Sequence, residues 1–333
     1  MPILGSRGAA SVKAFGFTGG AAKGLINATG GTITCDGDYR IHTFTGPGTF
    51  CVACICACVP AGNRKIDYLI LGGGGAGGTS GRSGGGGAGG FRESHEVPIS
   101  GSYTASPVAV SNAQTIAAGG YPISVGSGGS QSNPPGRAPN TTGFGISSSG
   151  GGQGAQEWGS SPGSPGGSGG GGGQESGSAG NGAGSGNSGG YSPPEGNGGA
   201  NGTKTPALPW GGSGGGGGGA AQSGFDGPNG NEAGKGGDGH GTQISPADGT
   251  PGPSGPLRYF SGGGGGKAQA CCTPAANRYG DGGAGGGGGQ PGSQSCGFSP
   301  VCTPVPVGPA GTAGGAFSGT GAAGAVIIRY KFA

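Results

Sequence analysis

Large apolar side chains and charges are both scarce in this chain. Leu, Ile, Val and Phe together number 42 of 333 residues, about 13% where globular domains rarely fall below ~20%. There are two tryptophans and one methionine, 9% of the residues are charged, and the net charge is +3. The first shortage excludes an ordinary α/β or helical domain of this length, because too little side chain is available to bury. The second excludes a charge-driven disordered chain, which combines low hydrophobicity with high net charge. It also argues against a nucleic-acid surface, and the Arg-Gly-Gly clusters of disordered nucleic-acid binders are missing. The longest apolar run, 51–61, has 11 residues, well short of the ~20 that a membrane span needs. The opening residues MPILGSRG lack a charged region leading into an apolar stretch, so they do not read as a secretory signal.

What the chain has instead is 99 glycines and 26 prolines. Glycine loses the most backbone entropy on ordering and has no side chain to bury. A chain of this kind orders only through backbone hydrogen bonding between closely spaced extended segments; otherwise it is a flexible linker. The punctuation favours order. Residues 72–78, GGGGAGG, recur letter for letter at 84–90, and further runs stand at 150–152, 166–173, 211–219, 262–266 and 282–289. Segments rich in Pro, Asn, Asp and Ser separate them, as turns require. Strict Gly-X-Y periodicity is absent, which excludes a collagen triple helix.

The remaining apolar residues cluster. Residues 25–71 read as antiparallel β: 32–35 and 39–45 around an Asp-Gly-Asp turn, then a Gly-Pro-Gly turn, a returning strand 49–59, and 66–71 running into the first glycine run. The chain ends in the strand-like AVIIRYKF, 325–332. The expected fold class is mainly β and irregular. A small antiparallel base is closed by the C-terminal strand and carries a glycine-rich lattice of polyglycine-II-like extended helices. The expected divisions are an arm 1–24, the β base 25–71, the glycine-rich part 72–324 and the terminal strand 325–333.

Glycine motifs carry no information here. At this glycine content Gly-x-Gly-x-x-Gly arises by chance about nine times. The nearest approach to a phosphate-binding loop, 262–267, has Ala268 where a hydroxyl residue belongs. Asp238-Gly-His240 has no nucleophile or second carboxylate beside it in sequence, so no catalytic residue and no cofactor is expected. Among nine cysteines, Cys51, Cys54, Cys56 and Cys58 crowd one strand-like stretch, while Cys271, Cys272, Cys296 and Cys302 lie later. Alternation puts Cys54, Cys56 and Cys58 on a face with Phe50 and Val52. Buried small hydrophobes, disulfides and a metal site all stay open as readings.

The pieces IHTFTGPGTF (41–50), YLILGGGGAGG (68–78), YPISVGSGG (121–129) and GAVIIRY (324–330), in this order, resemble the glycine-rich domains of tailed-bacteriophage tail fibres and adhesins. The first ten residues are similar to the start of many phage tail proteins. The resemblance implies a non-enzymatic virion protein, made in the host cytoplasm, displaying variable loops on a glycine-rich scaffold. It implies attachment to other virion proteins through the arm, where Ile3, Leu4, Val12, Phe15 and Phe17 are the apolar candidates. It also implies a homo-oligomer (a trimer by analogy), a host-surface glycan or protein receptor, and no membrane insertion. Aromatic residues between the glycine runs, Trp158, Tyr191, Trp210, Phe225, Tyr259, Phe260 and Tyr279, are the candidates for receptor contact, or else caps on the glycine rods. The alternative is a head or tail decoration protein without receptor binding.

Overall fold

The computed structural model describes residues 26–132, 136–157, 161–174, 182–204, 212–227, 232–269, 279–289 and 308–332. The expected arm, with Ile3, Leu4, Val12, Phe15 and Phe17, lies outside them. So do Trp158, Trp210, Cys271, Cys272, Cys296 and Cys302. Within the described residues the chain is mainly β, arranged in several antiparallel sheets.

The first strands are β1 (Ile26–Thr29), β2 (Thr32–Asp36), β3 (Tyr39–Phe44), β4 (Gly48–Ile55) and β5 (Lys65–Leu71). Next come β6 (Phe91–Glu93), β7 (Gln114–Thr115), β8 (Gly119–Ser124), β9 (Thr141–Gly143) and β10 (Ile146–Ser148). Short pieces follow: β11 (Thr203–Lys204), β12 (Gly212–Ser213), β13 (His240–Thr242), β14 (Thr250–Pro251), β15 (Arg258–Phe260) and β16 (Ala268–Gln269). The last is β17 (Ala325–Lys331). One sheet runs β1-β4-β8-β9-β10 and a second runs β2-β3-β17-β5-β6. β17 lies between β3 and β5, with Val326 opposite both Phe44 and Ile70. Strands from the glycine-rich part of the sequence thus join those of 25–71 in both sheets.

The β-branched and aromatic residues of β5 and β17 alternate with period two, as a strand requires. Ile66, Tyr68 and Ile70, with Val326, Ile328 and Tyr330, face the β1-containing sheet and close on Phe50, Val52, Ile26 and Ile123. Leu69, Leu71, Ala325 and Ile327 point the other way, onto Phe91, Ile244, Phe260 and Ala313. The second sheet is therefore covered on both faces, which is why its central strands carry apolar residues on both sides, with Asp67 and Arg329 buried among them. Phe50 sits at the centre of the first cluster, fully buried, with the His42, Phe144 and Tyr330 rings edge-on to it at 5.0, 5.9 and 6.1 Å.

The cysteine stretch departs from its expected place. Strand β4 stops at Ile55 rather than running to residue 59, and residues 56–59 form a turn. Pairing to β1 slips within the strand: Ala28 faces Val52, but Asn27 faces Cys54, leaving Ala53 as an extra residue. Such a bulge resets the alternation, so Cys54 is turned away from the face of Phe50 and Val52. Cys51 and Cys54 are exposed unpaired thiols, Cys56 is half-buried, Cys58 is exposed, and Cys56 and Cys58 are joined as a disulfide. The buried-hydrophobe reading of these four does not hold. Among the described residues no group of three or more His, Cys, Asp or Glu is arranged to hold a metal ion.

From Gly72 onward the backbone bonds change period. The N–H groups of Gly72, Gly75 and Gly78 donate to the carbonyls of Gly90, Gly87 and Gly84 at 3.1, 2.8 and 3.0 Å. Those of Gly74 and Gly77 donate to Ala322 and Gly319 at 2.8 and 3.0 Å, and that of Gly73 to Pro139. The repeated run behaves alike. Gly84, Gly87 and Gly90 donate to Ala155, Gly152 and Ser149; Gly85 and Ala88 to Gly215 and Gly218; Gly86 and Gly89 to Ala316 and Ala313. Every third N–H donates to the same neighbour, so each of these two runs donates to three neighbours, and 84–90 accepts from three more, 72–78, 168–171 and Gly264. A β-ladder has two and alternates with period two. The approach is close enough that a Cβ on Gly74, Gly85 or Gly217 would fall within contact distance of a neighbouring carbonyl group.

Candidate functional site

The glycine runs have a defined polarity. At one end Gly72, Gly90 and Ser149 adjoin β5, β6 and β10 of the base. At the opposite end Gly78 bonds Gly84, Gln174 bonds Arg82, Lys267 bonds Ser83, and Gly214 bonds Lys267. Strand β12 there joins β11 and β16, and Gly227 lies against Ser213 and Glu232. The described residue pairs Glu157 and Ser161, Gln174 and Gly182, Lys204 and Gly212, Gly227 and Glu232, and Gln269 and Tyr279 bracket five stretches of sequence. These bracketing residues lie at the far end, as their bonds and those of their neighbours show: Ser164 to Gln153, Gly163 to Gly182, Lys204 opposite Gly212, and Gly280 to Gly266.

Polar side chains concentrate here because the runs stop being pure glycine as they turn. The Gln156 carboxamide oxygen accepts from the Thr79 backbone N–H at 3.2 Å and from the Ser80 hydroxyl at 3.3 Å. The Thr79 hydroxyl donates to Gln131 Oε1 at 3.0 Å, and Gln131 Nε2 donates back to the Gly77 carbonyl. Ser80 Oγ accepts from the Glu157 backbone N–H at 2.9 Å. Arg82 and Glu157 form an ion pair at 3.2 Å with both side chains nearly buried. Lys267 Nζ donates to the Thr79 carbonyl at 3.1 Å and to Ser318 Oγ at 3.0 Å, and stands 5.3 Å from the centre of the Phe317 ring. Burial pulls this amine down to about 8, while the Glu157 carboxylate acts in the opposite direction. Tyr279 meets Phe317 edge-on at 5.3 Å. The far end thus offers amide and hydroxyl groups, a buried ion pair and a pair of rings.

The sequence-derived receptor candidates among the described residues do not gather in one place. Tyr279 belongs to the far end. Phe225 is 46% exposed on the side of the body, its backbone bonded to Gly216 and Lys235. Tyr191 is half-buried at the base end, where the Arg92 guanidinium lies 3.9 Å over its ring. Its neighbour Glu195 is buried and accepts from the Ser149 and Gly189 backbone N–H groups at 2.9 and 3.2 Å. Tyr259 is only 8% exposed, on β15 against Gly241 and Gly252. It is a packing residue and not a receptor contact, and Phe260 beside it is fully buried in the second core cluster.

Sequence reading passed over Gln131, Gln156, Arg82 and Glu157, and weighed Lys267 only as the end of a rejected phosphate-binding loop. Their signal was position: each follows or precedes a glycine run, where the chain must turn. His240, weighed in the sequence as half of a possible acid–base pair, packs against Phe91 at 5.2 Å, and burial lowers it to about 4. Asp238 is bonded instead to the Ala284 backbone N–H at 2.8 Å and to Lys235 at 3.7 Å. No protein-family model matches this chain, and no match was found among the curated proteins or the solved structures.

Proposed function

We propose that this chain is a non-enzymatic structural protein of a phage virion, a tail fibre or receptor-binding adhesin. On this reading its glycine-rich part is a polyglycine-II lattice and its far end meets the host surface. The observation that carries the reading is the polarity of the molecule. The apolar residues gather in sheets at one end, while stretches of varied composition are bracketed by residues at the other. Loops on a rigid scaffold are the usual site of recognition. The three-residue period of the hydrogen bonds supports the lattice, since an extended helix of this type has three residues per turn. At ~3.1 Å per residue, a seven-residue run such as 72–78 separates base and far end by about 20 Å.

The lattice is tested by amide hydrogen exchange. Glycine amides at 214–218 and at 283 and 287 are expected to be protected to the level of the β17 amides; exchange at linker rates would sink the lattice. The function is tested by imaging whole particles with the protein labelled. Density at the tail tip or fibre is expected. Density on the capsid shell or along the tail tube would replace this reading with that of a decoration protein. The two tests are independent of each other.

A further inference from the structure

We propose that the Cys56–Cys58 disulfide is a thiol–disulfide exchange site, taking an anionic thiol at Cys58 and releasing Cys56 as a thiolate. The bond joins residues two apart in sequence, with Cα atoms 5.2 Å apart, in the turn that follows β4. Closing so short a loop removes little chain entropy from the unfolded state. Both cysteines lie beyond the strand and outside the two core clusters, so the bond has little part in holding the fold. An exposed disulfide without a structural role is the kind that exchanges.

Three observations fix the direction of attack. Cys58 is exposed and Cys56 half-buried, so an incoming sulfur reaches Cys58 first. The Cys58 backbone N–H donates to Cys56 Sγ at 3.3 Å, which stabilises negative charge on that sulfur as it leaves, and a more acidic leaving thiol departs faster. A cavity of about 90 Å³ beside Cys58 is lined by Val59, Asn63, Lys65 and Lys331 among others. Lys65 is paired with Glu96 at 3.1 Å, and Lys331 adds a second ammonium group. Cationic surroundings favour the thiolate form of an incoming thiol and any carboxylate that it carries.

In the step, the thiolate forms a bond to Cys58 Sγ as the Cys56–Cys58 bond breaks. The bonding pair leaves on Cys56 Sγ, which takes a proton from water. One disulfide is lost and one formed, so no oxidant or reductant beyond the thiol is needed. The unpaired Cys54 thiol, two residues before Cys56, is the internal competitor.

The test uses the full chain under air with reduced glutathione, quenched by iodoacetamide and mapped by peptide mass spectrometry. Glutathione is expected on Cys58 and the alkyl group on Cys56, to the same extent in the Cys54→Ser variant. The adduct should form several-fold faster with glutathione than with cysteamine, a cationic thiol, and Lys331→Gln should narrow that preference. The proposal is overturned if glutathione maps to Cys56, if the adduct requires Cys54, if the disulfide stays intact, or if both cysteines are alkylated before any thiol is added.

Discussion

Replacing Gly217 by alanine tests the close approach of the glycine runs directly. A Cβ there would stand 2.8 Å from the Gly87 nitrogen and closer still to the Gly86 carbonyl, where ordinary contact begins at 3.4 Å. The two segments would have to part by at least about 0.6 Å, the difference of those distances. Neither is free to move. Gly217 donates to Gly264 at 2.8 Å and accepts from Gly237 at 3.0 Å, while the 84–90 run is bonded on its other sides to Ala155, Gly152 and Ala316. Overpacking of this kind costs roughly 1–3 kcal/mol, and each buried backbone bond left unmade adds about 1–3 kcal/mol. Against this stands the ~0.4–1 kcal/mol that alanine gains by restricting the unfolded chain. With one bond left unmade, the net expectation is a loss of about 1–6 kcal/mol, against the ~5–15 kcal/mol that a folded domain commands. Gly62→Ala is the control, because a Cβ at Gly62 meets nothing within 4 Å and its φ is ordinary; it should leave stability unchanged or raise it slightly. Equilibrium urea unfolding followed by circular dichroism reads both. Equal stability of Gly217→Ala and the parent chain would refute the close approach, as would equal damage from the two substitutions.

Phe50→Ala empties the centre of the cluster between the two sheets, and a loss of about 3–5 kcal/mol is expected in the same unfolding assay. Burial lowers His240 to about 4 from 6.5; below pH 6.5 the unfolded chain takes up a proton that the folded one refuses until about pH 4. Its contribution to stability is therefore complete above pH 6.5 and is lost as pH falls toward 4, at no more than about 1.4 kcal/mol per pH unit. His240→Asn should flatten the stability profile over that window, and a His240 imidazole that titrates near 6.5 by NMR would contradict the placement. For Arg92 over the Tyr191 ring, a double-mutant cycle should give a coupling of about 0.5–1 kcal/mol, and none if the pair is not stacked.

Much of the base was legible in advance. The Asp36-Gly37-Asp38 turn, the strands on either side of it and the apolar 66–71 follow from local rules that the structure does not override, with Gly37 in the left-handed region that the turn demands. The cysteine stretch was misread because alternation assumes an unbroken register, and one extra residue at Ala53 is invisible in a string of small apolar residues. Tyr259 was misread for the converse reason: flanked by turn-formers, it looked like a loop residue, yet it lies on β15, paired to both β13 and β14. The far-end cluster could not be read at all. Thr79, Gln131, Gln156 and Lys267 are distant in sequence, and only the back-and-forth course of the runs brings them to one place.

Composition alone therefore settled that this chain could not fill an ordinary core over its whole length, so that its glycine-rich part had to order, if at all, through its backbone. The local pattern also located most strands of the base, because period two and turn chemistry are local. Tertiary structure decided which glycine run lies beside which. Glycine has no side chain to encode a partner, so the identity of each run's neighbours depends on the turns between runs and on the sheets that fix their ends.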